Sequence, residues 1–278
     1  MPERSADVDG VPIRYRVTGR GTREIVLIHG HLAHSLWWHA VVPFLESQWR
    51  VVLVDLSGHG NSGHRDSYSI GRWAADIAGV LDDLGSTDVV LAGHSLGGSV
   101  AVAAAAQNPA RVSSVVLLDT LIAGPTSRRP EIPAQPQGRT APYPSRDEAR
   151  TRFRLLPPQP PLPDALLEPV AENSLRRVDG GWTWKFDRAG TLVVDYDFVF
   201  DCVTALEIPL LYVYGENSAV VTAAVVADIA EFLAPSTEYV EIAGAHHHFV
   251  LDHAERCAAL IDAFAGGRRR VGSIRVSP

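Results

Sequence analysis

Apolar residues in this chain fall into short unbroken runs separated by longer segments with helical spacing, a rhythm that predicts strands of a covered sheet joined by helices. The runs are Glu24–Ile28, Val51–Val54, Asp88–Ala92, Val112–Leu118, Pro209–Tyr214 and Thr237–Ile242. Helical spacing is expected over Leu36–Glu46, Ser69–Leu84, Ser99–Ala106, Val220–Leu233 and His253–Phe264. In the second of these, Trp73, Ile77, Val80 and Leu84 fall on or near one face. Val11–Val17 alternates and follows Asp9-Gly10, so the chain opens as a hairpin. Strand and helix then alternate as in an α/β fold with right-handed crossovers.

From Ile122 the rhythm stops. Pro125, Pro130, Pro133, Pro136, Pro142 and Pro144 punctuate a polar stretch that is too proline-rich for a core element. Short helices at Arg146–Leu155 and Asp164–Ser174, a hairpin at Arg177–Phe186 and an aromatic helical segment at Val193–Thr204 follow. The expected organisation is a core of residues 1–121 and 206–278, interrupted by a cap at 122–205. Trp182, Trp184, Phe186, Tyr196, Phe198 and Phe200 in the insertion either line an apolar substrate cavity or form the cap's own small core.

Composition narrows the function classes. With 46% apolar and 21% charged residues over 278 positions, the chain is globular, and its net charge of −7 favours neither nucleic acid nor an anionic membrane. The one dense basic run, Arg268-Arg269-Arg270, reads as a solvated end. Cys202 and Cys257 lie far apart without a Cys-x-x-Cys pair, which points to a reduced compartment, with one disulfide as the alternative. No apolar leader opens the chain and no run reaches membrane-spanning length, so a cytoplasmic protein is expected. Oligomeric state is left open.

Candidate chemistry centres on Leu91-Ala92-Gly93-His94-Ser95-Leu96-Gly97-Gly98, an apolar strand ending in Gly-x-Ser-x-Gly and running into a small-residue helix. A serine at such a tight turn is lifted above the sheet, and the glycines remove side chains that would collide there. Its hydroxyl needs a base within hydrogen-bond reach. Three adjacent histidines, His246, His247 and His248, are the candidates. Consecutive side chains converge poorly on one ion and no second ligand cluster has zinc-like spacing, so no metal and no cofactor are expected.

Taken together, the His29-Gly30 loop, Asp55-x-x-Gly58-x-Gly60-x-Ser62, the serine elbow and a late histidine before the last helix resemble the α/β-hydrolase family over nearly the whole chain. The resemblance implies a mostly parallel eight-stranded sheet with helices on both faces and an inserted cap. Aligning the family's junction after the catalytic histidine with Leu251-Asp252-His253 selects His247 as the base. The family's usual acid position is occupied by Ser218, in Gly215-Glu216-Asn217-Ser218. Some members, including dehalogenase-like ones, take the acid from the position that Asp119 matches; Asp119 is the first choice and Glu216 the second. Backbone N–H groups of Leu96 and His31 are the implied oxyanion donors, while His31, His34, Trp37 and Trp38 are candidates for the pocket mouth.

What the resemblance implies is a serine hydrolase acting on a small-molecule ester or related activated acyl substrate through an acyl-enzyme on Ser95. The alternatives are a non-hydrolytic enzyme on the same scaffold (a lyase, a carbon–carbon cleaving or a tailoring enzyme), or a ligand sensor with a slow triad. Asp55, His59 and Asn61 form a second polar cluster that the family uses structurally, and His94 reads as a packing and hydrogen-bonding residue.

Overall fold

Asp9 and Gly10 both adopt positive φ, 53° and 77°, and reverse the chain between Glu3–Val8 (β1) and Val11–Thr18 (β2). Two successive left-handed residues match the twist of a two-residue hairpin, so the dipeptide acts as the sequence predicts. The computed structural model describes residues 1–125, 127 and 141–267. Pro130, Pro133, Pro136 and the Arg268-Arg269-Arg270 run lie outside the described residues.

Arg23–Ile28 (β3), Trp49–Val54 (β4), Val89–His94 (β5), Val112–Leu118 (β6), Leu210–Gly215 (β7) and Glu238–Ile242 (β8) complete an eight-stranded sheet. Its order is β1-β2-β4-β3-β5-β6-β7-β8. β2 pairs antiparallel with β1 and β4, and every other pairing is parallel. The sheet is therefore the mostly parallel one expected. Alternate residues of each central strand enter separate cores. Val26, Ile28, Val52 and Val54 pack on the face covered by Ile70–Leu84 (α1) and Leu96–Gln107 (α2). Ile25, Leu27, Val51 and Leu53 face Trp38 and the closing helix Ala254–Ala265 (α3). Burial on both faces explains why these strands are apolar at consecutive positions.

α1 begins where Ser69 accepts the Arg72 N–H and ends at Gly85 in the left-handed conformation, φ 62°. The helix expected over Leu36–Glu46 is instead two short turns, Ser35–Trp38 and Val42–Leu45. Pro43 is the reason: it has no N–H for the carbonyl of His39, and its ring would strike that carbonyl in a continuous helix. The helix expected over Val220–Leu233 is confined to Ala223–Ala230, because the N–H groups of Val220 and Val221 bond the Ser218 hydroxyl instead. The closing segment breaks at His253, leaving Phe249–Asp252 as a separate turn before α3.

Between β6 and β7 the described chain forms helices at Arg146–Arg150, Asp164–Asn173 and Tyr196–Thr204. A hairpin of Leu175–Val178 and Gly181–Trp184 turns at Asp179-Gly180, overlapping the one expected over Arg177–Phe186 but beginning two residues earlier. One pairing is not foreseen. Thr191–Val193 lies parallel to Ser67–Ser69, and beside it the Tyr68 hydroxyl donates to Asp187 at 2.5 Å, tying this segment to the core. Cys202 and Cys257 are buried free thiols. No helix among the described residues is long and apolar enough to cross a membrane.

Candidate active site

The sheet order reverses at β3, whose parallel neighbours β4 and β5 follow it on opposite sides. Loops leaving the carboxyl ends of β3 and β5 therefore diverge and open a crevice, the place where such sheets bind ligands. Ser95 stands at that point, between β5 and α2, with φ 54° and ψ −126°. A non-glycine residue held there stores roughly 1–3 kcal/mol of backbone strain, a cost that clusters at functional sites. The turn is tight enough to need its glycines: a Cβ on Gly93 would lie 2.2 Å from the Gly97 carbonyl oxygen, and one on Gly97 would lie 2.4 Å from that of Ile28. Ser95 itself is only half-buried, so its hydroxyl faces the crevice.

The loop after β3 runs directly beside the serine. A Cβ on Gly30 would sit 3.2 Å from the Ser95 Cβ, and Leu32 takes φ 59° as the loop turns away. Among the described residues, the N–H groups of His31 and Leu96 have no hydrogen-bond partner. Leu96 is the first residue of α2, where backbone donors are unpaired and carry the positive end of the helix dipole.

Asp119 ends β6 with φ 52° and is fully buried. Its own N–H bonds the Val213 carbonyl at 2.8 Å, which sets the aspartate against the end of β7. Three donors converge on its carboxylate: the Gly215 N–H reaches Oδ1 at 3.0 Å, while the Ser218 hydroxyl and His247 Nδ1, at 2.6 Å, reach Oδ2. His247 Nε2 lies 3.1 Å from Ser95 Oγ. With Nδ1–H donating to a carboxylate, Nε2 is the unprotonated nitrogen and accepts from the serine hydroxyl. The structure thus brings Ser95, His247 and Asp119 into one hydrogen-bonded chain. Glu216 stands apart: it is exposed, and its Oε2 accepts the Gly244 N–H at 2.7 Å.

Neighbouring histidines hold this arrangement as neutral rings. His94 Nε2 donates to the His247 carbonyl at 2.8 Å, fixing the loop that carries His247; burial first, then the rings of His247 and His248, push its pKa well down. His248 is buried as well, its N–H bonded to Gln159 Oε1 at 3.0 Å and its Nε2 to the Pro157 carbonyl at 3.2 Å. Burial lowers its pKa to about 3, with His247 adding to the effect. His29 and His34 are pushed down to about 4, and His31 and His59 to about 3, in each case chiefly by burial. Asp55 accepts the N–H groups of Ser35 at 2.7 Å and Asn61 at 2.9 Å, so this buried carboxylate braces two loops below the serine.

His94, His247 and His248 place ring nitrogens within 4.8 Å of one another, a closer approach than the sequence reading anticipates for adjacent histidines. Both nitrogens of His247 and one on each partner are already hydrogen-bonded, so an ion there would have to displace the contact of His247 to Ser95 or to Asp119.

A cavity of about 340 Å³ is lined by His31 and Leu32 of the loop after β3, by Trp37, and by residues of the segment between β6 and β7. Of the four candidates for its mouth, His31 and Trp37 line it, whereas Trp38 is wholly core and His34 is bonded to Val170 and Ser174. Of the two roles foreseen for the aromatic residues of 122–205, lining the cavity holds for some, while others pack on the sheet's core rather than forming a core of their own. Trp184 and Phe186 line the cavity, while Phe198 packs on the core and Phe200 meets Phe232 edge to face, with ring centroids 5.1 Å apart. Sequence reasoning missed Ser218 as a partner of Asp119, and its place at the family's usual acid position was the available signal.

A family model described as "Alpha/beta hydrolase family" matches residues 25–260. Among curated proteins, the chain is 28% identical to a 2-(acetamidomethylene)succinate hydrolase of Mesorhizobium japonicum, covering 88% of each chain. It is 30% identical to an esterase of Mycobacterium tuberculosis over 73% of this chain and 70% of that one. Among solved structures, a thioesterase domain from the curacin biosynthetic pathway superposes with a TM-score of 0.77 at 24% identity, over 94% of this chain and 99% of that one. The sheet order, the serine elbow at its reversal point and the match over residues 25–260 together show that the chain belongs to the α/β hydrolase family.

Proposed function

We propose that the protein is a serine hydrolase that cleaves a carboxylic ester, or a related activated acyl substrate, through an acyl-enzyme on Ser95. The observation that carries this reading is the unbroken chain from Ser95 Oγ through His247 to Asp119. In the first half-reaction, His247 Nε2 takes the hydroxyl proton as Ser95 Oγ bonds to the substrate carbonyl carbon. The oxyanion forms against the N–H groups of His31 and Leu96, donors of a kind whose individual removal costs about 2.7–4 kcal/mol of barrier lowering. His247 then returns the proton to the leaving oxygen as the bond to it breaks. In the second half, His247 deprotonates water, which attacks the acyl carbon; as the bond to Ser95 Oγ breaks, His247 returns the proton to that oxygen and the acid product leaves.

Asp119 holds the imidazole in the required tautomer and stabilises it when protonated. A serine at the family's usual acid position would suit a ligand sensor with a slow triad; the bond from Ser218 to Asp119 supports a complete triad instead. Residues 122–205 serve as a cap, since their described elements roof the cavity that starts at His31. Both cysteines being buried thiols fits activity in a reducing compartment. The reading is tested with p-nitrophenyl butyrate and a fluorophosphonate: wild type turns over the ester and is labelled once at Ser95, and Ser95→Ala does neither. Turnover retained in Ser95→Ala overturns it.

A further inference from the structure

Asp119 is fully buried, and among the described residues its one ion-pair partner is His247, a ring that accepts from Ser95 in the resting site. A buried carboxylate is costly unless hydrogen-bond donors replace the water it has lost. Oδ1 has the Gly215 N–H at 3.0 Å. Oδ2 has two donors, His247 Nδ1 at 2.6 Å and the Ser218 hydroxyl, which therefore stand side by side on one oxygen.

The hydrogen bonds of Ser218 fix the direction of its O–H. The buried side-chain oxygen accepts the Val220 N–H at 3.1 Å and the Val221 N–H at 3.0 Å, while the backbone N–H of Ser218 holds the Gly215 carbonyl at 3.0 Å. A hydroxyl accepts on two lone pairs and donates one proton, so the carboxylate is the one place left for that proton. Two N–H groups on the oxygen also polarise the O–H and strengthen the bond it donates. Without Ser218, Oδ2 would keep His247 as its single donor, and the carboxylate would be freer to turn about its Cβ–Cγ bond away from the imidazole.

We infer that Ser218 is a positioning residue for the proposed reaction: its hydroxyl gathers two backbone N–H donors, passes their effect to Asp119 Oδ2 and so holds that oxygen on His247 Nδ1. This rests on the serine-hydrolase reading and adds a residue to it. Ser218 touches neither Ser95 nor the reacting atoms, and it acts through Asp119 alone.

The test is a cycle of Ser218→Ala and Asp119→Ala in the full chain, read by p-nitrophenyl butyrate turnover, with Ser218→Thr as the variant that keeps the hydroxyl. Ser218→Ala is expected to lower kcat about tenfold with KM little changed, the lower end of what a hydrogen bond to a charged group corresponds to. Ser218→Thr recovers most of that loss. In the Asp119→Ala background, Ser218→Ala changes kcat by less than about twofold, because a residue that acts through the carboxylate has nothing left to act on. A residue that only shapes the turn lowers kcat by the same factor in both backgrounds. A second readout needs no turnover: the downfield proton NMR resonance of His247 Nδ1–H, identified by its loss in His247→Ala, moves in Ser218→Ala and returns in Ser218→Thr. If Ser218→Ala does not fold, Ser218→Cys, which keeps the shape and weakens the donor, takes its place in both measurements. Equal losses in the two backgrounds, a kcat in Ser218→Ala within about twofold of wild type, or an unmoved resonance overturns the inference. A wild type that turns over no ester overturns the serine-hydrolase reading instead, and the resonance still decides the role of Ser218.

Discussion

Asp119→Asn isolates the acid of the proposed triad. The carboxylate accepts from three donors, the Gly215 N–H, the Ser218 hydroxyl and His247 Nδ1–H, and has no contact with solvent. An asparagine can satisfy only part of that set. With its amide oxygen toward Gly215, its NH₂ faces His247 Nδ1, which must then surrender its proton, and Nε2–H points at Ser95 in the unproductive tautomer. With the oxygen toward His247, the tautomer is correct but the NH₂ opposes the Gly215 N–H, and no negative charge stabilises the imidazolium. The same substitution in a serine protease triad lowers kcat by about 10⁴-fold, equivalent to about 5.4 kcal/mol at 1.36 kcal/mol per tenfold. A loss of about 10³–10⁴ in kcat on p-nitrophenyl butyrate is expected, with a comparable fall in the rate of fluorophosphonate labelling. Glu216→Gln, at an exposed residue bonded to the Gly244 N–H, should stay within about threefold of wild type. More than a tenth of wild-type kcat in Asp119→Asn, or an equal loss in Glu216→Gln, would refute the assignment.

Two predictions concern the fold that holds the site. His29, His34, His59 and His248 are buried with pKa values of about 3–4 against an ordinary 6.5, so the unfolded chain takes up protons before the folded one does. The stability held by their neutral forms is complete above about pH 6.5 and is lost as pH falls toward 4. Near pH 5.5 each contributes a loss of about 1 kcal/mol, so the four together cost several kcal/mol, which is comparable to the whole stability of many domains. Urea midpoints should drop steeply between pH 7 and 5.5, and a flat profile would contradict the burial of these rings as neutral groups. Gly93→Ala puts a methyl 2.2 Å from the Gly97 carbonyl oxygen, so the strand-to-helix turn must open. A stability loss of about 3 kcal/mol or more is expected by denaturant titration; a wild-type midpoint would show that the turn is looser than described.

Much of the fold was legible because its signals are local. Continuous apolar runs mark strands covered on both faces, Asp9-Gly10 marks the hairpin, and Ser69 and Gly85 bound α1. What escaped depends on contacts between distant residues. Thr191–Val193 and Ser67–Ser69 are three-residue strands that pair with each other across a long stretch of chain, and neither has a pattern of its own. Pro43 was a local signal, but the strong apolar spacing of Leu36–Glu46 masked it. The candidate site divides in the same way. Ser95 is announced by its glycines, whereas the choice between Asp119 and Glu216 needs β6 and β7 side by side in register, with Asp119 bonded to the carbonyl of Val213. Ser218 looked like a lost acid in sequence; in space its hydroxyl bonds the carboxylate of Asp119, the acid of the proposed triad.

The central claim is that Ser95 is an activated nucleophile, and intact-mass analysis after a short fluorophosphonate exposure measures this directly. One adduct per chain should form, mapping to the peptide that holds Ser95, at a rate abolished in Ser95→Ala and greatly reduced in His247→Ala. An unlabelled wild type, or an adduct that persists when Ser95 is alanine, would contradict the account.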